Sequence, residues 1–156
     1  MANLEGTTIE YHTQNKFVVE IDGFEWISFA TCSELKMDST TIVHRQGGSN
    51  LENKQRGLVT YPTITLTRGS TTQNNDMYNW IVETHGLGEQ FGEVASVYKR
   101  NLDIVQLDQA GQTAVRWGVY EAFPKGFTPG QWDANANEVT IESIEIECSH
   151  FEKIDI

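Results

Sequence analysis

The sequence has no long apolar run; its longest stretches of hydrophobic residues are three or four. That excludes a helix long enough to cross a membrane. The opening MANLEGTTIEYHTQNK has no basic n-region and no apolar h-region. No secretory signal is therefore expected, and the default address is the cytoplasm of the producing cell. Basic side chains are also scarce, 11 against 22 acidic, for a formal net charge of −11. Such a balance argues against a nucleic-acid grip, which needs basic patches to displace counterions. It leaves room for a surface past which nucleic acid slides. The only cysteines, Cys32 and Cys148, lie far apart in sequence, with no Cys or His at metal-ligand spacing from either. Two buried free thiols are expected, not a disulfide or a site.

Catalytic signatures are missing as well. His12, His44, His85 and His150 form no zinc-type pair. There is no G-x-S-x-G, no phosphate-binding glycine loop and no H-E-x-x-H. Glu142, Glu145 and Glu147 could be imagined as an acid/base set. Glu145 and Glu147 share a parity, however, and that face is expected to meet solvent, where unperturbed carboxylates belong. Asp108, close to Gly111, reads as a turn residue. Trp26, Trp80, Trp117 and Trp132 form no spaced stacking platform and are assigned to core and interface packing. No enzyme, cofactor or metal site is expected.

What is present is β-pattern. The length of 156 residues fits one domain with a sizeable core. Residues 1–15 are polar and aperiodic, an arm, and 16–156 form the domain. FVVEI (17–21) alternates, Asp22-Gly23 supplies a tight type I′ turn, and FEWISF (24–29) returns as its partner strand. KMDSTTIVHR (36–45) reads as a strand with one face in solvent. RQGGSNLENKQRG (45–57) has no period and reads as a long loop. LVTYPTITLTR (58–68) is a strand whose apolar parity slips at Pro62-Thr63, the pattern of a β-bulge. Residues 70–85 carry the one helix: a run of N-cap formers, Asp76 in the first turn, Met77, Trp80, Ile81 and Thr84 at helical spacing, and Gly86 as the stop. KRNLDIVQLD (99–108) and TAVRWGVYEAF (113–123) flank a short turn, and PKGFTPGQWDANAN (124–137) is an irregular excursion. VTIESIEIE (139–147) slips phase too, with Val139 and Ile141 on one parity and Ile144 and Ile146 on the other.

Six to eight strands in runs, with one helix, predict a mainly β, antiparallel sandwich or barrel with the helix on its flank. Long strands with polar second faces leave unpaired edges, which an isolated domain blunts and an assembly uses. Phase slips would let a strand bend from its own core into an intersubunit sheet.

ITLTRGSTTQNNDMYNWI and the stretch KRNLDIVQLDQAGQTAVRWGVYEAFPKGFTPGQWDANANEVTIESIEIECSHFEKI resemble the tail-tube proteins of contractile phages and phage-tail-like injection systems. The spacing R-N-x-x-I-x-x-L-D-x-x-G, then R-W-x-x-x-x-A-F-P, then N-E-V-x-I-E-S-I-E carries the resemblance. FVVEIDGFEWISFATCSEL and HRQGG extend it over about residues 15–153. It implies sixfold rings stacked into a hollow tube inside a sheath. Hairpins near 36–68 and 117–148 of each subunit would join one barrel around the channel. It also implies sheath, baseplate or hub, and tail-terminator partners, with DNA or protein cargo passing through without tight binding. Assembly would take place in the cytoplasm of the producing bacterium. Arg45, Leu51, Lys54, Arg56 and Trp132 become candidate contacts between subunits or rings. Glu138, Glu142, Glu145 and Glu147 become candidate acidic groups of the lumen or an interface. Two other readings stay open: a secreted ring protein of the type VI class, and a monomeric β-barrel binding module or small enzyme.

Overall fold

The computed structural model describes residues 11–24, 29–71, 75–86 and 98–154. Residues 1–10 of the expected arm and 25–28 of the expected second strand lie outside them. Nine strands and one helix are present among the described residues. They are β1 (Phe17–Ile21), β2 (Thr31–Cys32), β3 (Asp38–His44), β4 (Asn53–Thr60), β5 (Ile64–Gly69), α1 (Asp76–His85), β6 (Arg100–Leu107), β7 (Thr113–Thr128), β8 (Ile141–Glu147) and β9 (His150–Ile154).

All pairings are antiparallel. A seven-stranded sheet runs β1-β6-β7-β8-β5-β2, with β9 also on β7, and β3-β4 form a separate two-stranded sheet. The long strand β7 joins the two halves of the large sheet. Its first part pairs with β6 and β9, its last part with β8. Between them sits Glu121 at φ 52, where the register against β6 also shifts. Its amide donates to the Asn101 side-chain oxygen at 3.1 Å, so the bulge that turns the strand keeps its hydrogen bonds satisfied.

Both halves of the sheet contribute to one core. Val19, Leu102 and Val119 come from one half, and Leu66, Ile144 and Ile146 from the other. Helix α1 packs on β7 and adds Met77 and Trp80. Trp80 is fully buried, and its indole N–H donates to the Tyr98 carbonyl at 2.7 Å, which removes the cost of burying that donor. The helix has Asn75 at its N-cap and Asp76 in its first turn, as the pattern indicates, and ends at Gly86 with φ 61 in the left-handed cap.

Several sequence expectations change, and residues 124–128, expected to open an irregular excursion, instead extend β7 along β8. Gly23 alone has positive φ in the turn after β1, closed by the Phe24 amide on the Ile21 carbonyl at 3.1 Å. Type I′ needs positive φ at Asp22 as well, so the turn is of type II form. Among the described residues, β1 pairs with β6. The slip at Pro62-Thr63 is not a bulge inside one strand. Residues 61–63 carry the chain out of the β3-β4 sheet and into the large one. The stretch 45–57 is not all loop either, because β4 starts at Asn53 and takes Lys54 and Arg56 with it. Finally, β8 keeps a single phase. Glu142, Ile144 and Ile146 all point inward and are buried, while Val139 and Ile141 are exposed.

Candidate assembly surface

Strands β3 and β4 form an arm that leaves the body at Thr60. Nearly every residue of both strands is exposed, on both faces. A lone two-stranded hairpin is marginally stable in water. This one also exposes Ile42, Val43, Leu58 and Val59, with Leu51 79 % exposed at its tip. Tyr61 anchors its base by packing edge-on against Phe151 at 5.4 Å. The tip, residues 45–52, is drawn together by Arg45 and Glu52 at 2.9 Å.

Pairing across the arm sorts its charge. Thr41 lies opposite Arg56 and Val43 opposite Lys54, so both cations share one face with Val43. The other face places Ile42 opposite Gln55 and His44 opposite Asn53. A bulge interrupts the ladder between Ser39 and Thr41. There the Leu58 amide donates to the Thr40 hydroxyl at 3.1 Å.

The chain passes from the arm through residues 61–63 into the body sheet formed by β2, β5, β8 and the end of β7. Thr65 lies opposite Glu145 and Thr67 opposite Ser143, so the outward face there is rich in hydroxyls. Glu145 is exposed on it. Glu147, half-buried, accepts from the Thr63 hydroxyl and meets Lys125 at 3.2 Å. Glu142 is on the opposite side, buried and paired with Arg68. Its assignment to a lumen or interface is therefore corrected: it belongs to the subunit interior. Beyond β7 and β8, residues 129–140 wrap around an open cavity of about 760 Å³. Trp132 and Val139, 74 % and 71 % exposed, line it with Ile141, and Asp133 and Glu138 add two carboxylates.

The candidate residues thus fall into three groups. Arg45, Leu51, Lys54 and Arg56 are on the arm, Trp132 and Glu138 at the cavity, and Glu145 and Glu147 on the outward sheet face. The exposed apolar set Val43, Leu58, Val139 and Ile141 was not legible as surface, because alternation marks parity and not which parity faces in. No group of His, Cys, Asp and Glu among the described residues could hold a metal ion. No helix among them is long and apolar enough to cross a membrane.

Among the described residues, the chain is thus a β-rich body flanked by α1 with a bare two-stranded arm. Residues 13–152 match the family described as T4-like virus tail tube protein gp19. The chain belongs to that tail tube family. Among solved structures, it matches a chain of the tube-terminating cap of the anti-feeding prophage at 28 % identity and TM-score 0.81, over 96 % of this chain and 95 % of that one. A chain of the PVC extracellular contractile injection system, from its extended sheath–tube complex, matches at 25 % identity and TM-score 0.79, covering 94 % and 93 %. Hcp1 from Flavobacterium johnsoniae shares the fold, at 10 % identity and TM-score 0.52 over 88 % of this chain and 94 % of that chain. No curated protein sequence matches the chain. The tail tube family and these neighbours identify a tube subunit of a contractile tail or injection device.

Proposed function

We propose that this subunit closes into sixfold rings that stack as the inner tube of a contractile tail or tail-like injection device. The observation that carries the reading is the β3-β4 arm, a separate two-stranded sheet exposed on both faces, joined through residues 61–63 to a body sheet whose outer face is polar. Rings would join the arms and the β7-β8 hairpins of neighbours into one barrel. The hydroxyl-rich face with Glu145 and Glu147 would then line the channel, and its acidity lets DNA or acidic protein pass without sticking. The role is structural and not enzymatic. Sheath, baseplate and terminator proteins are the partners, and assembly takes place in the cytoplasm of the producing bacterium.

Electron microscopy of the purified protein is the test. Rings or tubes with a central channel are expected. A protein that stays monomeric at high concentration would sink the reading and favour a monomeric binding module. The shared fold with Hcp1 keeps a secreted ring of the type VI class as the second reading. A sheath gene beside this one favours the tube, and rings that never stack favour the secreted form.

A further inference from the structure

The start of β8 can be threaded in two phases, and the sequence offers both. In the observed phase Ile144, Ile146 and Glu142 are inward and buried, while Val139 and Ile141 lie outside, 71 % and 47 % exposed. One extra residue at Ser143 reverses the assignment ahead of it, because side chains change face at every step of a strand. Ile141 then faces residue 68, Val139 turns inward beside it, and Glu142 goes out to water. Judged by apolar burial alone, the second phase is the better one. It hides two branched aliphatic side chains and releases a carboxylate.

The backbone and the outer face do little to favour the observed phase. β7 pairs with β8 over Ser143 to Glu147, so Ile141 and Glu142 pair with β5 alone. Ile141 lies opposite Gly69, which has no side chain to cover it. Val139 reaches over the same glycine, its Cγ1 lying 3.4 Å from the place of a Cβ at Gly69. The Ser70 amide donates to the Thr140 carbonyl at 2.8 Å and continues the ladder past this point. What distinguishes the inward position is charge. Glu142 accepts from the Arg68 Nε–H directly across the ladder, and both residues are buried.

We propose that Arg68 and Glu142 are positioning residues that select the phase of β8 and thereby keep Val139 and Ile141 on the surface beside Trp132. A buried guanidinium is tolerable with a carboxylate opposite it and costly with an isoleucine there. Arg68 therefore draws Glu142 inward, and the two aliphatic side chains are turned outward as the consequence. The apolar lining of the 129–140 cavity is in this way set by a charge pair buried one residue further along the strand. The selection is made within one subunit and stands apart from the tube reading.

Thiol labelling of dilute, unassembled subunits tests it, with circular dichroism as the check on folding. Val139→Cys and Thr140→Cys are placed separately in a Cys32→Ala and Cys148→Ala background. With Arg68 present, the thiol at position 139 is expected to react with a water-soluble disulfide reagent faster than the thiol at position 140. Arg68→Met should slow position 139 by about tenfold or more and speed position 140, because the two exchange faces. Adding Glu142→Leu to Arg68→Met should restore the original order, since an apolar residue at 142 again suits the inward place. If Arg68→Met does not fold, Arg68→Gln, which keeps a donor and loses the charge, should give the same exchange of rates. Unchanged rates at both positions would overturn the proposal. So would faster reaction at both, which marks a frayed strand end and not a change of phase, or a combined variant that does not restore the order.

Discussion

Arg68 and Glu142 face each other across β5 and β8, and the Arg68 Nε–H donates to a Glu142 carboxylate oxygen inside the core layer. Both are buried, amid neighbours such as Leu66 and Ile144. A charge removed from water there is tolerable only while paired. Glu142→Ala leaves the guanidinium without this carboxylate and should cost about 3 kcal/mol. In a chain of this size that lowers the melting temperature by roughly 6–12 °C. Arg68→Met combined with Glu142→Leu should recover most of the loss, because apolar groups of similar volume suit the site. Thermal unfolding of the single and double variants checks this. A single variant as stable as the parent would mean that the pair adds nothing.

Glu121 is the one non-glycine residue with positive φ among the described residues. The left-handed region costs a residue with a Cβ roughly 1–2 kcal/mol. It is held there by Asn101 and by the change of partner along β7. Glu121→Gly should stabilise the fold by about 1 kcal/mol, and Asn101→Ala should destabilise it by about 1 kcal/mol. Urea midpoints measure both. Equal midpoints for all three proteins would show that the bulge stores no strain.

These two sites show where the sequence pattern runs out. Strands β1, β3, β5, β6 and the first part of β7, helix α1 and its Gly86 stop follow from period and cap chemistry, since β-alternation and helical spacing are local properties. The direction of a face is not local. In VTIESIEIE, the eye follows apolar residues and infers a slip, yet Glu142 holds an inward position because Arg68 stands opposite on β5. Nothing in the sequence links two residues 74 positions apart. The Pro62-Thr63 break is visible, but its meaning, a change of sheet, depends on which partners each half finds. Lys54 and Arg56 stand out in the sequence as cations of an acidic chain. Their placement on a strand was hidden by a glycine- and polar-rich sequence without apolar alternation.

Cys32 packs against the core, and burial pushes its thiol up to about 11. A thiol raised above its ordinary value of 9.0 favours the neutral form in the folded state. The stability from keeping it neutral is fully present below that ordinary value. It is lost as pH rises through about 11. The difference in melting temperature between the parent and Cys32→Ala should therefore be flat at neutral pH and shrink across that window. Cys148 is raised too, by burial first and then by the Glu147 charge. Both thiols should react with iodoacetamide far more slowly in the native protein than in denaturant. Both thiols are half-buried, less than the sequence suggests, and equal rates in the two conditions would contradict even that shielding.

Gly57 is the point at which the arm depends on a missing side chain. A Cβ there would lie 2.1 Å from the Thr40 hydroxyl and 3.0 Å from the Thr40 carbonyl oxygen. Gly57→Val therefore pushes Thr40 away, and the Leu58 amide loses its hydroxyl partner at the bulge. The arm's own ladder to β3 should open around Ser39 and Thr41, where the register already shifts. The body should hardly respond, because both strands of the arm are exposed and surface changes of this kind stay within about 0.5 kcal/mol. Melting temperature is thus expected to stay close to the parent while assembly is lost, a separation that a core substitution cannot give. Thr40→Ser added to Gly57→Ala tests the cause, since the remaining Cβ still meets the Thr40 hydroxyl. Thr40→Ala with Gly57→Ala removes that hydroxyl and should assemble better. Microscopy of tubes beside calorimetry of the same samples reads both halves, and a Gly57→Val protein that builds tubes like the parent would show that the bulge geometry does not govern assembly.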